Sequence, residues 1–472
     1  MMTDQVFIGR EKELERLNDL YKKKQASLAV IKGRRRVGKS RLVAHFAKVS
    51  ESKKIWSFSG LAPQDGMDDQ TQRDHFARQL AAMLKQPPFS FHDWSDAFAH
   101  LSRHLSPGDM VLMDEISWMG SGDSSFIPKL KAWWDQQSLP VFVVFCGSIS
   151  TWIQENIIQS TAFFGRINLI ITLEPLSIAE SAQLLKAYGF QGSDYDVYKL
   201  LSVLGGIPWY LEQVIPGYSA DELIRKLCFQ RDSMLVLEFD RIFYDLFGKK
   251  GTSYKKILDS LKGGMKTLAD VRKEIAFAHS GTLSNLMGHL ITAGFVQKQE
   301  VWSFKTVKPR KQSLYRISDP YMRFYLKLIE PNLDKIKKGA FESMQISKLQ
   351  GFDAHIGLQI EHLLLYNRKD LLKAIGIDPS DVVADGAYRQ TKTSSKAGCQ
   401  IDYIVQTVTH NLYVCEFKFK RREITGEVMQ QVKDKIHALS VPRGFACIPV
   451  LFHIGGVCAM VQTSGYFYRI ID

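Results

Sequence analysis

An α/β fold organised around a parallel sheet is what this sequence predicts, and three observations predict it. Apolar runs of strand length recur at residues 28–31, 55–58, 110–113, 141–146 and 168–173, with helical stretches between them. The first run passes into a glycine-bounded loop and then an amphipathic stretch, a strand–loop–helix order. A second series, helix, three extended pieces, helix and strand, occupies the last 120 residues or so. At 472 residues the chain is long enough for about three domains.

Composition narrows the class. Hydrophobic residues make up 45% and charged residues 24%, which excludes a disordered, collagen-like or coiled-coil chain. No apolar run approaches the ~18 residues of a membrane span, so no membrane partner is expected. Asp4, Arg10, Glu11 and Glu13 arrive too early for a secretory leader. Six cysteines at 146, 228, 399, 415, 447 and 458 form no C-x-x-C pair. That pattern suits a reducing compartment, and a cytoplasmic location is expected.

The loop after the first strand reads Gly33-Arg34-Arg35-Arg36-Val37-Gly38-Lys39-Ser40, the G-x-x-x-x-G-K-S pattern. Its glycines let backbone N–H groups wrap a phosphate, and the following helix N-terminus adds positive potential. Lys39 then reaches the β- and γ-phosphates of ATP, and the Ser40 hydroxyl holds Mg²⁺. Gly33, Gly38, Lys39, Ser40 and Arg41 are therefore candidate nucleotide contacts. The run at 110–113 ends in Asp114-Glu115. Here Asp114 is a candidate Mg²⁺ ligand and Glu115 a candidate base for the attacking water. The run at 141–146 ends in Gly147-Ser148, which places a small polar side chain beside the γ-phosphate.

These motifs resemble those of the AAA+ superfamily, and more narrowly of the prokaryotic archaeal-type ATPases, over residues 1–240 or so. Phe7-Ile8-Gly9-Arg10-Glu11 resembles the segment that packs on the adenine, which implies nucleotide contact by Phe7, Gly9 and Arg10. Ser148 resembles sensor 1. Arg166, after Phe163-Phe164-Gly165, resembles the arginine finger that reaches a neighbouring subunit's γ-phosphate, which implies a homo-oligomer. Gly205-Gly206-Ile207-Pro208 resembles the family's signature in a helical lid. An arginine capping a strand edge is the simpler account of Arg166, and no lid arginine stands out as sensor 2.

The net charge of +13 is concentrated. Residues 1–244 carry as many acids as bases, whereas residues 245–350 hold 20 Lys and Arg against 9 Asp and Glu. Such an excess suits a polyanion, although a solvated lysine-rich face shows it too. Helical periodicity at 254–261, 268–275 and 282–293, then extended pieces at 301–304 and 314–317, resembles a winged helix. Lys305, Lys308, Arg310 and Lys311 fall on the expected wing. Ser280, Thr282, Ser284, Asn285 and His289 lie on the polar side of the third helix. Nucleic acid, DNA in particular, is the partner this implies, with inter-domain packing as the alternative use.

Near the C-terminus, Asp402 lies in one extended piece and Glu416-Phe417-Lys418 in the next, thirteen residues on. Strand alternation puts Glu416 and Lys418 on one face. Two carboxylates on adjacent strands can converge on Mg²⁺, with Lys418 orienting a water or stabilising the transition state. Glu361, one helix earlier, is a further candidate ligand, and Gln430 or Gln431 lies near from the following helix. The order and residues resemble the PD-(D/E)XK nuclease superfamily, with Ile401 where a proline precedes the acid in the name motif. An amphipathic strand with a solvated face is the competing account.

The expected architecture is therefore a five-stranded parallel P-loop AAA+ core at residues 1–175 and a helical lid at 176–244. A basic winged helix at 245–330, a linker at 331–352 and a restriction-endonuclease-like α/β domain at 353–472 follow. The expected function is ATP-controlled nucleic-acid binding with Mg²⁺-dependent cleavage. The alternatives are an ATP-dependent DNA-binding switch, or a signalling ATPase, whose last domain is structural.

Overall fold

The computed structural model describes residues 6–50, 52–62, 67–120, 122–148, 150–247, 251–277, 280–300, 304, 313–390, 392, 394 and 397–472. Five strands form the first sheet: β1 (Ser27–Gly33), β2 (Ile55–Ser59), β3 (Met110–Asp114), β4 (Phe142–Gly147) and β5 (Leu169–Leu173). They lie in the order β2-β3-β4-β1-β5, and every pairing is parallel. Strand alternation divides β1 between two cores. Ala29 and Ile31 face one, with Val43 and Phe46 of the helix Lys39–Val49; Leu28 and Val30 face the other, with Trp56, Phe58 and Phe98. Each such side chain contributes about 1.5–3 kcal/mol by leaving water, which is why these runs are continuous rather than alternating.

Helices at 178–187, 194–204 and 220–228 follow, and their starts are written locally. Ser177, Ser193 and Ser219 each accept from the backbone three residues on, where Glu180, Asp196 and Glu222 reciprocate. These capping boxes satisfy donors that a helix start otherwise leaves open. At the turn before Pro208, a side chain on Gly206 would meet the Leu176 carbonyl oxygen at 2.1 Å. Only glycine lets this turn approach the chain just after β5 so closely, and the Gly206 carbonyl accepts from Leu176 N–H at 2.8 Å.

The basic region holds the helices Gly251–Leu261, Leu268–Glu274 and Ser280–Thr292 and a small antiparallel sheet. That sheet is β6 (Lys266–Thr267), β7 (Val296–Glu300) and β8 (Ser313–Ile317), in the order β6-β8-β7, one strand more than expected. Along the third helix Leu283, Leu286, Met287 and Leu290 are buried, whereas Thr282, Ser284 and Asn285 are exposed. His289 faces inward, its Nδ1 2.7 Å from the Tyr254 hydroxyl. Lys305, Lys308, Arg310 and Lys311 lie outside the described residues, as does the Ser280 side chain. Phe304 is not on a free wing: it is buried, stacked 4.6 Å from Tyr388.

Residues 331–352 are packed rather than a tether, with Ile336, Phe341 and Ile346 buried. The helix in this stretch is short, Leu333–Lys337, because Gly339 turns into the left-handed region at φ 73. The last sheet contains β9 (Val382–Gln390), β10 (Cys399–Thr407), β11 (Asn411–Phe419), β12 (Ala446–Ile454) and β13 (Arg469–Ile471). β9, β10 and β11 pair antiparallel; β12 and β13 add in parallel. The helices Phe352–Tyr366 and Glu427–Ala438 both contact it.

Candidate functional site

The first site is where β1, β3 and β4 end side by side. Gly38, at φ 97, opens the helix Lys39–Val49, whose start carries no side-chain cap. Its N–H groups therefore stay available to an anion. Lys39 is buried, and its ammonium donates to the carbonyls of Gly33 at 3.1 Å and Arg34 at 3.0 Å. Burial lowers the pKa of Lys39, against the pull of Glu115 and Asp114. Ser40 Oγ lies 2.5 Å from Asp114 Oδ2, so hydroxyl and carboxylate meet at one point. Uncapped N–H groups, a buried ammonium and this oxygen pair fit a triphosphate with its Mg²⁺.

Glu115 follows at φ 46, a left-handed conformation that costs a non-glycine residue about 1–2 kcal/mol. Its carboxylate is held there: Oε2 accepts from Ser148 N–H at 3.0 Å and from the Ser148 hydroxyl at 2.8 Å. The strand-end serine thus touches the candidate base directly, a link that sequence spacing did not reveal.

Behind the loop, Phe7, Arg10, Val37, Gly38, Arg41, Leu184 and Pro208 line a pocket. The Phe7 ring stacks on His45 at 3.8 Å. Gly9 packs against Glu180, which accepts from Arg10 N–H at 3.4 Å, and Arg10 Nη2 donates to the Val37 carbonyl at 3.2 Å. Pocket and loop share Gly38 and Arg41, so the residues expected at the base and at the phosphates are brought together.

The basic loop makes a second set of contacts that were not foreseen. Arg34 pairs with Asp319, the N-cap of the helix Pro320–Phe324. Arg36 pairs at 2.6 Å with Glu238 and lies 3.4 Å over the Trp209 ring. Arg41 pairs with Glu212 and donates to the Val6 carbonyl at 2.8 Å. Three acids from three later segments thus meet the strand–loop–helix. The only signal was the run of arginines, more cations than a phosphate loop needs.

Arg166 does not approach this site in its own chain. It is bound to Asp135 through Nε at 2.5 Å and Nη2 at 3.1 Å, beside Phe164, which is 82% exposed.

The second site lies on the C-terminal sheet. Asp402 on β10 and Glu416 on β11 sit one step beyond the paired residues Tyr403 and Cys415. Asp402 Oδ2 accepts from Phe417 N–H at 2.9 Å. Lys418 Nζ is 2.8 Å from Glu416 Oε1. The helix Glu427–Ala438 contributes Lys435, 2.5 Å from Glu416 Oε2 and 3.8 Å from Asp402 Oδ1. Gln430 and Gln431 are instead exposed, and Gln430 donates to Asp434. Lys435 follows Val428 by seven residues, two turns along the stripe of Val428 and Val432, so helical periodicity was the signal that finds it.

Burial and the neighbouring Glu416 raise the pKa of Asp402. Glu361, on the helix Phe352–Tyr366, is pushed up to about 7 by burial and by Asp402 and Glu416. For Lys435, burial works against the charge but the two carboxylates outweigh it, and its pKa rises. Asp402 and Glu416, facing two lysines, offer oxygen donors of the kind a hard cation takes. Lys435 now serves as their counter-ion. Among the described residues, no three His, Cys, Asp or Glu side chains are gathered closely enough to hold a metal ion.

Residues 7–214 match a family model described as an ATPase domain predominantly from Archaea. The chain is 25% identical over 361 residues to an uncharacterized protein of Methanocaldococcus jannaschii, covering 75% of this chain and 76% of that one. Two solved structures are similar in part. The RuvB Holliday junction branch migration motor of Thermotoga maritima has a TM-score of 0.37 at 17% identity, covering 62% of this chain and 90% of that one. The ORC2 protein of Aeropyrum pernix, in ADPNP–ADP complexes, has a TM-score of 0.43 at 12% identity, covering 72% and 98%. Residues 7–214 thus resemble that ATPase domain, and the five-stranded parallel sheet expected from the sequence is present within them. Among the described residues, no helix is long and apolar enough to cross a membrane.

Proposed function

We propose that this protein is an ATP-hydrolysing switch that governs nucleic-acid-handling parts downstream, one of them a Mg²⁺-dependent nuclease. The observation that carries this reading is the pairing of Arg34 with Asp319 and of Arg36 with Glu238. Both arginines leave the loop that grips the triphosphate and end on segments outside the ATPase sheet, Asp319 just beyond the last strand of the basic module. A change in the loop is therefore a change in what those segments are tied to.

In the ATPase site Lys39 binds the β- and γ-phosphates, and Ser40 and Asp114 hold Mg²⁺. Phe7, Gly9, Arg10 and Arg41 line the nucleotide's base and ribose side. Glu115 takes the proton of the attacking water, and Ser148 keeps its carboxylate aimed. Arg166 serves a neighbouring copy once Asp135 releases it. The exposed Thr282, Ser284 and Asn285 meet a DNA groove, and the module's excess of Lys and Arg favours a polyanion.

In the C-terminal site Asp402 and Glu416 would hold Mg²⁺, which when bound supplies charge neutralisation at the phosphodiester and a more acidic water. Lys418, paired with Glu416, would be placed to orient a water there, Glu361 would add negative potential behind the two acids, and Lys435 would offer its charge to the phosphate. The observation favouring a cleavage site is the placing of buried Glu416 and half-buried Asp402 side by side on neighbouring strands, which needs the counter-charge that Lys435 gives here and that a cation would also give.

A cleavage and turnover assay tests both parts. Lys39→Ala is expected to abolish ATP hydrolysis, and unchanged turnover would sink the ATPase assignment. Asp402→Ala and Lys418→Ala are expected to abolish DNA cutting while ATP turnover persists. If the parent binds DNA with a steep salt dependence but never cuts, the chain is a switch with a structural last domain.

A further inference from the structure

Outside both sites, two buried arginines and two half-buried histidines form a group without a counter-charge among the described residues. Arg316, on β8, is 5% exposed, and Arg323, on the helix Pro320–Phe324, is 7% exposed. His355 and His362 stand seven residues apart on the helix Phe352–Tyr366 and so share a face. Arg316 uses two of its nitrogens locally: Nη1 lies 2.8 Å from His362 Nδ1, and Nη2 donates to Gln297 Oε1 at 2.8 Å. Its Nε, all three nitrogens of Arg323 and Nε2 of His355 are buried with no hydrogen-bond partner.

No acid answers them. Among the described residues neither guanidinium forms an ion pair, and the charge that Arg323 feels most is that of Arg316. Burial together with these arginines drives both histidines down, His355 to about 4, so near pH 7 they are neutral. The group therefore carries two positive charges in a place from which water is largely excluded. Buried polar groups are nearly always partnered, and an unpaired buried charge is among the costliest features a fold can hold. Water could satisfy some of the N–H groups but would leave both charges unmatched.

We propose that Arg316 and Arg323 hold a phosphate-type dianion. Two charges match a dianion, and the guanidinium fork fits the paired oxygens of a phosphate. Access reaches Arg316, which lines a cavity of about 320 Å³ with Lys298, Glu300, Arg368, Asp385 and Tyr403; Asp385 is already paired with Arg368, and Arg323 is not among the lining residues. This site is independent of the nucleotide loop and of Asp402 and Glu416. The dianion is either free phosphate or the phosphoryl end of a nucleic-acid strand, and both present the same group.

The test uses the full chain carrying Lys39→Ala, so that the nucleotide loop does not answer to phosphate. Its Tm is followed against inorganic phosphate, with ionic strength held constant by chloride. A saturating rise is expected, with at least a tenfold loss of apparent affinity in Arg323→Met and Arg316→Met. A parent without response, or variants that respond as the parent does, would overturn the site. Should those variants not fold, tungstate diffused into crystals of the unmutated protein gives the second reading. Anomalous density within hydrogen-bond reach of both guanidiniums supports the proposal, and its absence there overturns it. A 5′-phosphorylated oligonucleotide that competes with phosphate where its unphosphorylated twin does not assigns the strand end. Equal indifference to both assigns free phosphate.

Discussion

Arg36 and Glu238 form a closed pair at 2.6 Å, joining the phosphate-binding loop to the helix Met234–Phe247. Glu238 is almost wholly buried, and burial raises its pKa despite Arg36 and the Tyr210 hydroxyl that donates to it. Removing one partner of such a pair strands the other charge, at a cost of about 3–5 kcal/mol. Arg36→Ala is therefore expected to lower the urea midpoint strongly, and Glu238→Gln placed on top of it to recover much of the loss. A double variant no more stable than Arg36→Ala would show that the pair is not the source.

Glu115 reaches its position through a strained backbone and two hydrogen bonds from Ser148. Glu115→Gln should keep nucleotide binding and lose about 10²–10⁴-fold in turnover, the usual contribution of a positioned base. Ser148→Ala removes only the hydroxyl contact, so a smaller loss in kcat with little change in KM is expected. Steady-state ATPase kinetics with a nucleotide-binding isotherm separate the two effects.

How much of this was legible in the sequence depended on range. The strand–loop–helix at residues 27–49 and the strand ending in Asp114-Glu115 were readable because both are local patterns with one physical solution. Asp402 and Glu416 were readable because strand alternation fixes faces. Lys435 was missed, although it lies along the stripe of Val428 and Val432, because the residue types of a helix do not say which of its polar side chains reaches the neighbouring sheet. Asp319, Glu238 and Glu212 were illegible: no local rule relates an arginine to an acid 171 or more residues away. The packed stretch at 331–352 escaped because its lysines mask the spacing of Ile336, Phe341 and Ile346.

Lys435 stands between two carboxylates that would otherwise repel across neighbouring strands. Lys435→Ala is expected to destabilise the chain by about 1–3 kcal/mol in EDTA, since the group is partly open to water. Excess Mg²⁺ should restore much of that loss in the variant and change the parent less, because the cation replaces the missing ammonium. Melting curves with and without Mg²⁺ decide it: equal Mg²⁺ effects on both proteins would place the cation elsewhere.

Arg166 and Asp135 are paired at the surface, and the same acid also binds Lys131. Asp135→Asn frees the guanidinium while the fold's Tm stays near that of the parent. If Arg166 serves a neighbouring copy, ATP turnover per chain in Asp135→Asn should rise at lower protein concentration than in the parent. Arg166→Ala should remove that concentration dependence altogether. Turnover independent of protein concentration in every case would remove the oligomer from this account.

His355 gives a pH signature that can be worked out in advance. Burial first, then Arg323 and Lys327, hold it at about 4 in the folded chain, against an ordinary value near 6.5 once unfolded. Above about pH 6.5 both states are neutral at this residue and it contributes no slope. Between 6.5 and 4 the unfolded chain takes up a proton that the folded chain refuses, so stability falls as pH falls. Below about 4 both states are protonated and the loss levels off, at no more than roughly 3 kcal/mol. Urea unfolding in phosphate-free buffer from pH 7.5 to 4 should show that decline, and His355→Asn should flatten it across this window. Parallel curves for the two proteins would assign the acid sensitivity to other groups.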